Sequence, residues 1–243
     1  MARNSADQTA AFYDVEAETY DSSRYENVAG RRRDQFHKRT LANFLREEVS
    51  AAEEILELGC GTGRLTANVA EYVQNIVGMD ISPGMLNYAR TRLANIDSAN
   101  VSLISGDVGK LPFSDERFGA VYAILVLNLV PSLELVLREV ARVTRKNGVL
   151  IFNLPNLSSI FFPAGLYVNI RKKTVTRNRS GFRYSHWYTF NEVKKTLEET
   201  GFILERVVGQ PLHLNLMKDV DPRDSAQFAR AFSKSLYYKA RRI

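Results

Sequence analysis

The chain has 243 residues, 45% of them hydrophobic and 25% charged, enough for one large domain with a full core. A single cysteine excludes an internal disulfide and a cysteine zinc cluster, so no metal site is expected and a reducing cytoplasm fits. Residues 1–25 are polar with no apolar signal core, and the longest apolar run, Ala120 to Leu127, is far short of the roughly 20 residues that span a bilayer.

The net charge of +6 permits an acidic partner without requiring one. Its excess is local: Arg31-Arg32-Arg33, then Arg171-Lys172-Lys173 with Arg177 and Arg179, then Lys239, Arg241 and Arg242. Solvated loops and a tail account for it.

Taken in order, residues 1–30 read as a short helix or lid, with the aromatic-acid pairs Tyr13-Asp14 and Tyr20-Asp21. Phe36, Leu41, Phe44 and Leu45 fall near helical spacing and predict an amphipathic helix over Asp34 to Val49. Next, Ile55-Leu56-Glu57-Leu58-Gly59-Cys60-Gly61-Thr62-Gly63-Arg64 reads as a buried strand, a glycine loop and a helix start, a pattern suited to close approach of a ligand. A mononucleotide P-loop needs Gly-Lys-Ser/Thr, and Arg64-Leu65-Thr66 supplies none. A dinucleotide loop needs its third glycine at residue 64, one position later than Gly63. Glu57 at the strand end would also repel a pyrophosphate, by roughly 4 kcal/mol at about 4 Å and an effective dielectric near 20. A cationic ligand without phosphate, such as S-adenosylmethionine, suits this loop better.

Leu65, Val69 and Val73 mark the following helix face, and Ile76 to Met79 is the next strand, ending at Asp80. An acid at that distance past the first glycine can accept both hydroxyls of a ribose. Ser82-Pro83 opens a helix through Met85, Leu86, Ala89 and Leu93. Val101 to Ser105 is a third strand followed by Asp107 and Val108, which suit an adenine amino group and ring. Ala120 to Leu127 reads as a strand buried on both faces. A helix over Leu133 to Val143 is expected to stop at Asn147-Gly148, and Val149 to Leu154 is the fifth strand.

Beyond it, Pro155 to Arg179 holds the apolar patch Ile160-Phe161-Phe162-Pro163 and the basic run, read as a cap over the sheet's edge. Asn191 is expected to cap a helix that ends at Gly201, Phe202 to Val208 and Leu212 to Met217 to pair antiparallel, and Phe228, Phe232 and Leu236 to form a last helix. Glu57, Asp80 and Asp107 then all fall at the carboxyl ends of strands, where ligands bind in an open sheet of this type.

These residues together resemble class I S-adenosylmethionine-dependent methyltransferases of the small-molecule type, a group that includes ubiquinone and menaquinone biosynthesis enzymes. The resemblance rests on Ile55 to Thr66, Val77 to Leu86, Gly106-Asp107-Val108 with Leu111-Pro112-Phe113, and Arg138 to Gly148, with Tyr188-Thr189-Phe190 to Gly201-Phe202 as a closing helix. It implies an α/β, Rossmann-like doubly wound sheet, mostly parallel with an antiparallel final strand and helices on both faces. The expected plan is one domain: a helical lid over 1–49, a cofactor core over 50–154, a cap over 155–190, and the end of the sheet with a tail helix over 191–243.

By the same resemblance Glu57 and the backbone of Gly59, Cys60, Gly61 and Gly63 hold the methionine part, Asp80 the ribose, and Asp107 with Val108 the adenine. Ile81, Met85 and Ala123 complete the expected cofactor set, and S-adenosylhomocysteine is the expected product. The chain has Gly119 where the family often has an aspartate, and Asn128 where many members have a histidine. Catalytic candidates are His186, Tyr13, Tyr20 and Asn128. The expected acceptor is a small molecule, with a lipid-like acceptor met at a membrane surface as a variant. An RNA or protein substrate and a scaffold that binds S-adenosylmethionine without catalysis remain alternatives. Cytosine methylation is disfavoured because the one cysteine lies in the cofactor loop.

Overall fold

The structure, a computed structural model, describes residues 5–46, 48, 54–96, 99–157, 173–178, 181–211 and 233–243. Helix α1 (Ser5–Glu16), a single 3-10 turn (Ala17–Thr19), α2 (Tyr20–Tyr25) and α3 (Val28–Arg46) precede β1 (Glu54–Leu58). The middle of the chain alternates: α4 (Arg64–Ala70), β2 (Asn75–Asp80), α5 (Pro83–Ala94), β3 (Val101–Ser105), β4 (Phe118–Ala123), α6 (Leu133–Val143) and β5 (Thr144–Pro155). A hairpin of β6 (Lys173–Asn178) and β7 (Gly181–His186) follows, then α7 (Phe190–Glu199), β8 (Phe202–Pro211) and β9 (Ser233–Arg242).

Seven of these strands form one sheet in the order β3-β2-β1-β4-β5-β9-β8. Strands β1 to β5 pair in parallel, while β9 runs antiparallel to both β5 and β8. The sheet is thus doubly wound and mostly parallel, and its final strand in chain order is the antiparallel one. Apolar residues alternate across it. Ile55, Ala120, Tyr122, Ile151 and Tyr237 face Leu41 and Phe44 of α3 and Leu65 and Val69 of α4, while Leu56, Val121, Phe152 and Tyr238 face Leu137 and Val140 of α6 and Val193 and Leu197 of α7. A fully buried side chain of this kind contributes about 1.5–3 kcal/mol, and the continuous apolar runs of the sequence are strands covered by helices on both sides.

Several elements depart from the sequence expectation. The α3 helix begins at Val28 and ends at Arg46, and Val49 lies outside the described residues. The α6 helix stops at Val143, not at Asn147-Gly148. Thr144 already pairs with Phe118 as the first residue of β5, and Asn147 takes its positive φ of 62° inside that long strand. Thr189, not Asn191, caps α7: its side chain accepts from the Glu192 amide, and the Glu192 carboxylate accepts from the Thr189 amide.

From Ser233 on, the tail is a strand, so Leu236 stands in β9 and not in a helix. Leu236, Tyr238 and Ala240 pack into one layer and Tyr237 into the other, a period of two between β5 and β8 that wins over the three-to-four spacing ending at Leu236. Strand β8 pairs antiparallel with β9, while Leu212 to Met217, Phe228, Phe232 and the Ile160 to Pro163 patch lie outside the described residues.

Candidate active site at the sheet switch point

The strand order turns at β1, whose neighbours are β2 on one side and β4 on the other. Beyond the carboxyl ends of these strands lies a cavity of about 270 Å³, near the lower end of the roughly 300–1,000 Å³ usual for small-ligand pockets. Gly59, Gly61, Asp80, Ile81, Met85, Asp107 and Val108 line it, together with Tyr13 and Tyr20 from the N-terminal segment.

The glycine loop owes its shape to backbone that side chains would forbid. Gly61 has φ 56° and a Cβ there would meet nothing within 4 Å, so bare backbone borders open space. Gly63 has φ 72° and a Cβ there would lie 3.1 Å from the Ala89 Cβ, so α4 and α5 pack closely through it. The loop is tied to the next strand end: Gly61 N donates to Asp80 Oδ2 at 2.8 Å and Ser82 N to Asp80 Oδ1 at 2.9 Å. Burial raises the Asp80 carboxyl while these amides and that of Ile81 pull it down. The carboxylate keeps acceptor capacity toward the cavity. Asp107 Oδ1 accepts from Gly109 N at 2.8 Å, and the Asp107 side chain borders the same space. Two acids at strand ends, a bare glycine backbone and no cavity-lining lysine or arginine among the described residues fit S-adenosylmethionine and disfavour a phosphate.

Glu57 stands elsewhere than its position at the strand end suggests. Its side chain is buried on the α4 side of the sheet, where Thr66 Oγ1 donates to Oε2 at 2.5 Å and Tyr122 OH at 2.7 Å, and it does not line the cavity. The cause is strand parity: Glu57 points to the same face as Ile55. Burial pushes its carboxyl up to about 7, with those two donors lowering it and Asp80 raising it. Cys60 is buried behind the loop, and burial raises its thiol. Ala123 and Gly63 lie off the cavity lining as well.

Of the catalytic candidates, Tyr13 and Tyr20 come together, ring centroids 6.1 Å apart. Burial, with Tyr25 and Tyr13 nearby, holds the Tyr20 hydroxyl well above its ordinary value. His186 and Asn128 are paired to each other instead. The His186 amide donates to Asn128 O at 2.6 Å, Asn128 Nδ2 donates to Ser185 Oγ at 2.8 Å, and His186 Nδ1 lies 2.8 Å from Val130 O. They fasten β7 to the loop after β4 and do not line the cavity.

Some contributors were not expected from the sequence. Leu125, a cavity residue, has φ 65°, a conformation costly for a residue with a side chain. Its amide donates to Asn153 Oδ1 at 2.7 Å, and Asn153 Nδ2 donates to Ser235 Oγ at 3.2 Å. The available signal was a lone polar residue, Asn153, inside the apolar run of the fifth strand.

A family model described as a methyltransferase domain matches residues 56–152. A demethylmenaquinone methyltransferase of Tropheryma whipplei (strain Twist) is 33% identical over 165 residues, spanning 63% of this chain and 68% of that protein. Among solved structures, a SAM-dependent methyltransferase from Methanosarcina mazei superposes with a TM-score of 0.67 at 16% identity, over 82% of this chain and 96% of that one. The (4+2)-cyclase SpnF superposes with a TM-score of 0.71 at 17% identity, over 98% of this chain and 96% of that one. These two share the fold.

Proposed function

Because the chain belongs to the class I S-adenosylmethionine-dependent methyltransferases, we propose that it methylates a small molecule with an apolar body, at a carbon or oxygen of an enol-, phenol- or quinol-like ring in preference to an amine. The observation that carries this reading is the continuity of one cavity. From Asp80 and Asp107 it runs on past Leu125 to Leu129, Val130, Pro131 and Leu135, with no charged side chain in that second half among the described residues. A polar acceptor buried there would lose roughly 2–7 kcal/mol per unpaired polar group. The relative named demethylmenaquinone methyltransferase supports a quinone-like ring.

The protein's own task is positioning. Asp80 and the Gly61 backbone orient the ribose end, and Asp107 with Val108 the adenine end. Tyr13 and Tyr20 roof the reacting region and exclude water. When bound, the cofactor supplies a methyl group on a cationic sulfur that departs as a neutral thioether. Alignment alone is worth roughly 7–11 kcal/mol. The raised Tyr20 hydroxyl acts as a hydrogen-bond donor rather than a base, and His186 lies off the cavity lining. An acceptor whose own hydroxyl ionises readily, losing its proton to solvent, therefore fits best.

Two measurements test the proposal. Titration calorimetry is expected to detect S-adenosylmethionine binding that Asp80→Ala weakens by at least about 100-fold, the loss of a charge-assisted contact pair. Methyl transfer from labelled cofactor into a panel of quinols, phenols, enols and amines is expected to label the first three. Labelling of amines alone would overturn the acceptor assignment.

A further inference from the structure

Each tyrosine over the cavity is followed in sequence by an aspartate, and neither aspartate has a part in the site described so far. Asp14 Oδ1 accepts from Ser82 Oγ at 2.5 Å and from Gly84 N at 2.9 Å. Asp21 accepts from Thr62 Oγ1 at 3.0 Å and from Arg92 Nη2 at 2.6 Å, and Arg92 Nη1 also donates to Thr62 O at 3.0 Å. Both partners belong to the cofactor loops. Ser82 is the residue whose amide holds Asp80 and whose hydroxyl caps α5 through Met85 N at 3.0 Å. Thr62 lies between Gly61 and Gly63.

The packing is specific to this docking. A Cβ at Gly84 would stand 3.0 Å from Asp14 Oδ1 and 3.2 Å from the Asp14 Cα, so glycine is what lets α1 approach the start of α5. Tyr13, Tyr20 and Tyr25 form a run of rings at 6.1 Å spacings along the same segment. The segment from α1 to α2 therefore touches the glycine loop through one carboxylate and the Asp80 loop through the other, while the adjacent tyrosines face the cavity.

We propose that Asp14 and Asp21 are positioning residues that fasten the N-terminal segment to the two cofactor loops and thereby set the residence time of S-adenosylmethionine. The inference rests on the cofactor assignment above. Charge-assisted bonds of this kind are the strong class of hydrogen bond. Removing one frees the adjacent tyrosine from the roof while leaving Asp80, Asp107 and the glycine loop intact. The Asp21 to Arg92 pair is partly open to solvent, with side-chain exposures of 28% and 34%, so salt screens it.

The test compares wild type with Asp14→Asn, Asp21→Asn and the double variant. In the cofactor-free chain, amide exchange over residues 5–25 is expected to quicken about 10-fold in each single variant, while amides of β1, β4 and β5 keep wild-type protection and so report an intact fold. With cofactor, the dissociation rate in stopped flow is expected to rise about 10-fold per single variant and further in the double, with the association rate changed less than about 3-fold. Added salt should speed dissociation in wild type and have a weaker effect in Asp21→Asn. Asp14→Glu and Asp21→Glu, which keep the charge, should recover part of the loss. Unchanged dissociation and exchange in both aspartate variants would overturn the inference. A wild-type chain that binds no S-adenosylmethionine would instead overturn the cofactor assignment, and the exchange arm would still read whether the aspartates hold the segment down.

Discussion

Glu57 carries a buried charge problem that the cofactor can solve. Its carboxyl sits at about 7 in the cofactor-free chain because burial outweighs the Thr66 and Tyr122 hydroxyls. A cation entering the adjacent cavity favours the ionised form, so binding releases a proton. The sign follows directly: S-adenosylmethionine affinity should rise with pH up to about 7 and level off above it, and calorimetry in buffers of different ionisation heat should detect the released proton. Glu57→Gln should flatten this profile. Tyr122→Phe removes a donor that lowers the carboxyl and should move the profile's midpoint upward. It should also cost about 1–3 kcal/mol in urea unfolding, the usual penalty for leaving a buried group short of a partner. A midpoint that stayed fixed in Tyr122→Phe would separate Glu57 from the pH dependence.

At the scale of elements, the loop after β4 is the part of the site that is built from afar. Leu125 keeps its left-handed backbone because Asn153 on β5 accepts from its amide, and Ser235 on β9 supports Asn153. Asn153→Ala should therefore raise KM for the acceptor more than it changes cofactor affinity. Leu125→Gly in the same chain should restore part of the loss, because glycine reaches that conformation without the cost of a Cβ. An equal loss for both ligands would mark Asn153 as a general packing residue.

The positions of β1 to β5 and of Asp80 and Asp107 were legible in the sequence because each is signalled locally by an apolar run, but β4 ends at Ala123 and not at Leu127, because Leu125 turns the chain with its positive φ. Glu57's true surroundings were not, because they depend on which face of β1 meets α4. Nor was β9, since its neighbours come from segments far apart in the chain. The partnership of Thr62 and Arg92 with Asp21 was not legible for the same reason: nothing near them in sequence marks a partner on α2. Only the aromatic-acid pairs hinted at it.

The whole molecule is closed by contacts between its two ends. His37 on α3 and Tyr237 on β9 meet with the Tyr237 hydroxyl 2.7 Å from His37 Nδ1, and the His37 ring is fully buried. Burial, with Arg33 adding to it, lowers His37 from 6.5 to about 3. The unfolded chain takes up a proton near 6.5 that the folded one refuses until about 3, so this group's stability is complete above 6.5 and is lost as pH falls. The loss reaches roughly 4–5 kcal/mol at 1.36 kcal/mol per pH unit. Glu57 acts in the opposite sense. Its folded value near 7 exceeds the unfolded 4.5, so stability falls by roughly 3 kcal/mol as pH rises through that window, and the raised Asp80 carboxyl adds to it with the same sign. Between about 4.5 and 6.5 the slopes from His37 and Glu57 therefore offset one another. Below 4.5 the His37 loss is no longer offset by Glu57 and is joined by Glu48 and Glu139, whose lowered carboxyls give up stability as they protonate. The cofactor-free chain should thus show a nearly flat urea midpoint from pH 4.5 to 6.5 and a steep fall below. Glu57→Gln should convert the flat region into a midpoint that rises with pH, and His37→Phe should make it decline. Matching slopes in wild type and Glu57→Gln would show that the two buried groups do not oppose each other.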